Sequence, residues 1–478
     1  MTKAHKLNAW VCDNRPVSQA VSTERDSPIQ AGPIEPDEAA QLSRPPRVQI
    51  SPLAQLLRFN QLQIEFVFGA RRRLGDVFGM RTDEPNGLVV TCLPDDVRSL
   101  FTAKPEEAPS LAAESPLRPI VGPNSVLTAL GDRHMRQRKL LLPSFHGEAI
   151  DAYAEKIAEA AEREIDRWPI GRPFALAGRM QAITLDVIMA GIFGIEGRPR
   201  RGTPEHRLRL TTKRLVAAST WPIAQIGELM NVRREEPVGL TRAGLALIDR
   251  PTYAVIAQRR RSDDLGERRD ILSLLLQART EEGEELSDGE IRDELLTLVL
   301  AGHETTANSL AWAWERLLRA PSAQERLVEA VRSGEGAAEA IETTIVETMR
   351  SRPVVPIVGR RVKRPWRLGE YGVPADTPVL VSILLLHHRE DLYPEPFEFK
   401  PERWDDRKPG TYEWIPFGGG IRRCLGAALA MAEQRVVLEA MARRLDLVAA
   451  DPAPERALHR NVTMIPSQGA RVVVRSRA

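Results

Sequence analysis

The chain has 478 residues, 42% of them hydrophobic, with 67 Lys and Arg against 65 Asp and Glu and a formal net charge of +2. That balance excludes a nucleic-acid coat, which needs clustered excess positive charge. Three cysteines in this length exclude a disulfide-stapled secreted scaffold. No stretch reaches the roughly 20 apolar residues that span a bilayer. The first forty residues also lack the apolar core of a signal peptide. A cytoplasmic protein without a membrane span is expected.

Residues 1–44 are rich in Pro, Ser, Asp, Glu and Gln without a sustained period, and are expected to form a disordered N-terminal extension. Arg44-Pro45-Pro46 marks entry into a single folded domain over 45–478. Up to about residue 350 the pattern is helical, as over 151–168, where Ala and Ile recur at helical spacing. The clearest helix opens at Ser287, whose spacing to Glu290 is that of a capping box. Apolar positions run from Ile291 through Leu295, Leu296 and Val299 to Trp312 and Leu318, and Pro321 stops the helix. That is about 32 residues, roughly 48 Å at 1.5 Å per residue. A helix so long and so apolar should cross the middle of the molecule. After Pro353 the stretches 354–362 and 379–386 read as strands around a turn. Helix returns over 425–445, and 471–474 reads as a last strand. The expected class is mainly α with a minor antiparallel β region.

The most specific segment is Phe417-Gly418-Gly419-Gly420-Ile421-Arg422-Arg423-Cys424-Leu425-Gly426. Consecutive glycines let a backbone turn tightly or lie against a flat object. Cys424 sits just before a helix, where backbone N–H groups and the positive helix end favour a thiolate. A buried, inert cysteine would account for Cys424 alone, but not for the Phe, Gly, Arg and Gly at their offsets.

This segment is similar to the heme-binding signature of cytochrome P450 enzymes. The resemblance implies the fold of that family, with heme b between the long helix and the Cys loop. It makes Cys424 the thiolate ligand of the heme iron and sets Phe417 beside the sulfur. Gly420 and Gly426 complete the loop, and Arg422 lies near a heme propionate. Four further segments match the same family in order. Ala301-Gly302-His303-Glu304-Thr305-Thr306 resembles its oxygen-activation motif, with small residues at 301 and 302 leaving room beside the helix. There Thr305 holds water and oxygen while Glu304 relays protons toward it. The plainer alternative is a Thr bonded back to a carbonyl one turn earlier, with Glu304 solvated. His303, about 100° round the helix from Glu304, reads as a packing residue.

Glu347-Thr348-Met349-Arg350 matches the family's Glu-x-x-Arg helix, with Met349 in place of its frequent Leu, and Arg403 resembles the arginine that completes its triad. Glu347, Arg350 and Arg403 are thus expected to fix the loop before Cys424. His134 and Arg138, at i and i+4 on one helix face, resemble the pair that meets a propionate. Arg361 is expected as a further propionate partner, with Arg360 competing for the role. Ala301, Val354, Val355, Ile357 and Val358 are candidate pocket residues, all apolar. Cys12 and Cys92 have no partner spacing and read as inert.

The resemblance implies a bacterial monooxygenase that uses O2 to oxidise a hydrophobic small molecule. The two electrons needed have no visible source in the chain, which lacks a Gly-x-Gly-x-x-Gly after a strand and a Cys-rich iron–sulfur segment. They are expected from a separate ferredoxin or flavodoxin with its NAD(P)H reductase. Arg133, Arg136 and Lys139 are the expected docking surface. Three alternatives stand beside this reading: a peroxide-using heme-thiolate enzyme, a heme-thiolate isomerase or dehydratase, and a non-enzymatic heme sensor.

Overall fold

The computed structural model describes residues 30–477, except 53, 56–57, 59–62, 146–147, 198, 220–229, 232–233, 280–282 and 461. The helices that frame the site are α1 (Pro36–Gln41), α2 (Pro94–Thr102), α3 (Gly131–Leu141), α4 (Glu148–Ile165), α5 (Leu176–Phe193), α6 (Asp288–Leu317), α7 (Ala337–Ser351) and α8 (Ala427–Arg444). The capping box at the start of α6 forms as its spacing requires. Ser287 Oγ accepts the Glu290 N–H, and the Glu290 carboxylate accepts the Ser287 N–H. The helix runs 30 residues, and Pro321, after the break, opens the next helix at its first position.

Around α6 lies the main core. Ala307, Leu310, Ala311, Trp314 and Leu317 pack with Ile157 and Ile165 of α4, Met180 and Val187 of α5, and Val437 and Leu438 of α8. Gly302 is where α5 comes closest, since a Cβ there would stand 2.9 Å from Ile188 Cδ1. Its smallness therefore serves the packing of the two helices. By length and composition α5 could cross a membrane, but 67% of it is buried within the protein, as a core helix would be.

Four small sheets complete the body. β2 (Val77–Met80), β3 (Leu88–Thr91), β5 (Ile357–Val362) and β8 (Thr377–Ser382) form a four-stranded sheet in the order β2-β3-β8-β5. The β3–β8 pair is parallel, so this sheet is mixed and not purely antiparallel. β1 (Gly32–Pro33), β6 (Trp366–Leu368) and β7 (Tyr371–Val373) make a second sheet, and β4 (Phe174–Ala175), β9 (Leu445–Ala449) and β12 (Arg471–Arg477) a third. β10 (Ala457–Arg460) and β11 (Thr463–Pro466) form a hairpin. The run 379–386 splits, because Ser382 Oγ accepts the Leu385 N–H and caps a short helix.

Residues 1–29 of the expected extension lie outside the described residues. Residues 32–41 depart from the expectation of disorder. β1 pairs with β6 at Gly32–Arg367 and Pro33–Trp366, and Ile34 and Ala39 are buried. Pro36, Asp37 and Glu38 give α1 the proline and acids of a helix start. The body Ala31–Ala478 forms one compact unit.

One buried acid makes stability depend on pH. Glu433 of α8 is 3% exposed and bonded to Thr306 of α6, and burial pushes its carboxyl up to about 8. The folded protein then holds a proton that the unfolded chain releases near 4.5. Stability is therefore lost as pH rises from 4.5 to about 8. Glu433→Gln is expected to gain stability over the parent across that window and to match it below, read from urea midpoints at stepped pH.

Candidate active site

The Cys loop follows from its glycines. Gly418 and Gly420 adopt φ of +65° and +63°, and Cys424 N–H donates to Phe417 O at 3.0 Å, closing the turn. Gly419 and Gly420 rest against Phe101 at the end of α2, so the flat object they meet includes that ring. Phe417 stands edge-on to Trp414, centroids 6.3 Å apart. Gly426 caps α8, and its N–H bonds the Cys424 sulfur. Cys424 is open to solvent but sits among protein groups, and desolvation raises its thiol despite that N–H, Arg138 and Arg423. The Gly426 N–H at the helix start favours the thiolate, as do the two arginines, but desolvation outweighs them. A coordinated metal deprotonates such a thiol outright.

Three arginines and a histidine gather beside this loop. His134, Arg360 and Arg422 line one cleft with Leu130 and Phe101. Burial, then the charges of Arg422, Arg138 and Arg360, drives His134 down to about 4. Burial likewise lowers Arg360 to about 10, and burial with Arg360 and Arg138 lowers Arg422 to about 10. No carboxylate contributes to any of these shifts. Arg422 also donates to the carbonyls of Val126, Leu127 and Ala129, and Arg138 to Arg423 O at 2.8 Å, so both brace the loops they touch.

Arg361 is not in this cluster, which corrects the expectation. Strand alternation sends it to the other face of β5, where it forms ion pairs with Glu84 at 3.0 Å and Glu114 at 2.6 Å. Arg360, buried over the Phe101 ring at 5.2 Å, takes its place.

Within 291–315 of α6 the residues not buried are Leu298, Leu300, Ala301, Gly302, Glu304 and Thr305, so over two turns one side of the helix is open. Ala301 is exposed there. Thr305 Oγ1 donates to Ala301 O at 2.7 Å, the back-bonded arrangement weighed as the plainer alternative. Glu304 is not solvated but ion-paired with Arg460 of β10. The acid and the alcohol do not bond each other. His303 is buried, its imidazole is held down to about 4 by burial, and its carbonyl accepts Thr184 Oγ1 at 2.8 Å. Val354, Val355, Ile357 and Val358 are half-buried, and Val354 O accepts the Met464 N–H at 2.7 Å.

Glu347 and Arg350 are fully buried and bidentate, both contacts 2.8 Å. Arg403 Nε reaches the same carboxylate at 3.2 Å, and Lys400 N–H and Trp404 Nε1 complete it at 3.0 Å each. Trp404 directly follows Arg403 in the sequence, a signal available but not read. Arg350 also donates to His387 O, and His387 Nε2 accepts the Ile415 N–H at 2.9 Å, linking the triad to the Cys loop. Of the expected docking residues, Arg133 and Lys139 are exposed, and Arg136 is half-buried and ion-paired with Glu290 at 2.5 Å. Cys92 is buried with its thiol pushed up to about 12, and Cys12 lies outside the described residues. Among the described residues no three His, Cys, Asp or Glu side chains could hold a metal ion together.

The sequence pattern of the cytochrome P450 family matches residues 44–474. A Mycobacterium tuberculosis protein bearing the name cytochrome P450 137 is 38% identical over 417 residues, covering 84% of this chain and 83% of its own. Cytochrome P450 135B1 of Mycobacterium bovis is 35% identical over 438 residues, 90% of this chain and 91% of its own. Among solved structures, the retinoic acid-bound cyanobacterial CYP120A1 superposes with a TM-score of 0.74 at 22% identity, covering 91% of this chain and all of that one. CYP102L1 does so with a TM-score of 0.76 at 23% identity, over 91% of this chain and all of that one. Sequence and fold agree that this chain belongs to the cytochrome P450 family.

Proposed function

We propose that the protein is a monooxygenase that places one atom of O2 into an apolar small molecule, with Cys424 holding a heme b. The observation that carries this reading is the buried cluster of His134, Arg360 and Arg422, with Arg138 beside it and no carboxylate among them. Such a cluster is costly alone and suits a dianion, which the two propionates of heme b supply. The lone Cys424 thiol fits a cofactor that brings the metal's other ligands with it. When bound, heme supplies the redox and oxygen-cleaving chemistry that a thiolate ligand favours.

The chain's own residues bind, shield and move protons. Ala301, Val354, Val355 and Ile357 offer apolar contacts to the substrate. Thr305 holds the proton nearest the reacting atoms, and Glu304 delivers its replacement. Glu347, Arg350 and Arg403 hold the Cys loop in place through His387. Residues 44–474 carry no dinucleotide-binding or iron–sulfur segment, and the electrons are assigned to a ferredoxin or flavodoxin with its NAD(P)H reductase. Arg133, exposed on α3, is assigned to its docking surface.

Turnover of an apolar compound panel under 18O2, with a surrogate ferredoxin, its reductase and NADPH, tests the reading. The expected product carries one labelled oxygen. Label-free conversion without NADPH would make the protein an isomerase or dehydratase, and conversion by peroxide alone a peroxygenase. Arg360→Ala is expected to weaken heme retention by about tenfold or more, the loss of a hydrogen bond to a charged group. Arg361→Ala should leave retention unchanged and lower only stability, through Glu84 and Glu114. Heme transfer to apomyoglobin measures both.

A further inference from the structure

Glu304 is held in an ion pair by a residue far along the chain. Arg460 is the last residue of β10, and its Nε donates to Glu304 Oε1 at 3.0 Å, with Nη2 on the same oxygen. The two side chains keep 13% and 17% exposure, so the pair is neither sealed in the core nor fully in water. Arg460 pairs with no other acid among the described residues. Meanwhile the Thr305 hydroxyl is turned to Ala301 O. Acid and alcohol, one residue apart, each bond elsewhere.

The hairpin that carries Arg460 is tied to the segment around Val354 and to α6. Met464 N–H of β11 donates to Val354 O at 2.7 Å, and Trp312 Nε1 of α6 donates to Met464 O at 3.0 Å. Thr463 Oγ1 bonds Arg460 O at 2.9 Å, coupling the two strands at the turn. A guest that displaces Val354 therefore moves the strand next to Arg460.

We propose that Arg460 is the positioning residue for Glu304, holding its carboxyl away from Thr305 until a guest against the Val354 wall shifts the β10–β11 hairpin and releases it. This rests on the monooxygenase reading, in which Glu304 passes its proton toward Thr305 and regains one from solvent. Occupancy of the pocket then gates proton supply, which limits wasteful reduction of O2 when no substrate is present.

The infrared C–O stretch of the ferrous carbon monoxide adduct tests this without substrate or turnover. Arg460→Gln is expected to move the band, and Arg460→Lys, which can keep the pair, to leave it in place. In a Glu304→Gln background Arg460→Gln should have no further effect. Substrate-free NADPH oxidation, with its electrons recovered as hydrogen peroxide, should rise about tenfold in Arg460→Gln, well within what a freed proton donor can supply. A band unmoved by Arg460→Gln, or moved equally with and without Glu304, overturns the proposal. Should Arg460→Gln fold poorly, Arg460→Met keeps the stem and repeats the test. Absence of any carbon monoxide adduct in the parent protein would instead count against the heme reading itself.

Discussion

Gly420→Ala is expected to empty the protein of heme and to cost about 2–5 kcal/mol of stability. Two effects add at this position. With φ at +63°, a side chain there meets the left-handed penalty. Its Cβ would also stand 2.0 Å from Phe101 O, a backbone atom that no rotamer change can move. Relief requires shifting either the C-terminal end of α2 or the Cys loop, and the loop carries Cys424. Gly418→Ala is the matched control. It shares the left-handed backbone, at +65°, but nothing lies within 4 Å of its Cβ, so only about 1–2 kcal/mol is lost and heme is kept. Urea midpoints and the heme-to-protein ratio of the two variants check this. Equal behaviour would show that contact with Phe101 does not matter.

Arg350→Ala is expected to cost about 3–5 kcal/mol, the range for removing one partner of a buried ion pair. Against a typical net stability of about 5–15 kcal/mol, little folded protein would remain. The loss leaves the Glu347 carboxylate buried without its bidentate partner. It also orphans the carbonyls of His387, Pro396 and Glu398, at 2.8, 2.8 and 3.2 Å from the guanidinium. Arg350→Lys should rescue little, because a point charge cannot span carboxylate and carbonyls together. Arg403→Ala should be milder, since that side chain is 11% exposed and the carbonyls of Pro394 and Glu395 that it binds can turn to water. Soluble yield and melting temperature rank the three variants. A loss in Arg403→Ala as large as that in Arg350→Ala would contradict the account.

Features written in neighbouring residues were legible in the sequence. The capping box at Ser287 needs only four residues to declare itself, and the positive-φ turns around Cys424 need only glycines at fixed offsets. Features that depend on register or distant partners were not. Whether Arg360 or Arg361 faces the cleft depends on how β5 lies against β8, where Arg360 faces Val379 and Arg361 faces Pro378. The apolar run 379–386 carries no period that separates strand from helix, and the Ser382 cap decides it. Arg460 lies 156 residues from Glu304, and nothing local marks it. Phe101, against which the Cys loop turns, is equally silent in its own segment. His134 and Arg138 could be named from their spacing and Arg422 from the Cys segment, but their lack of a carboxylate partner exists only in the folded protein.

The carbon monoxide difference spectrum of the reduced protein, recorded beside Cys424→Ser, tests the central claim most directly. The account predicts the long-wavelength band of thiolate-ligated heme in the parent and its loss in the variant. A short-wavelength band in the parent, or a long-wavelength band that survives in Cys424→Ser, would contradict it.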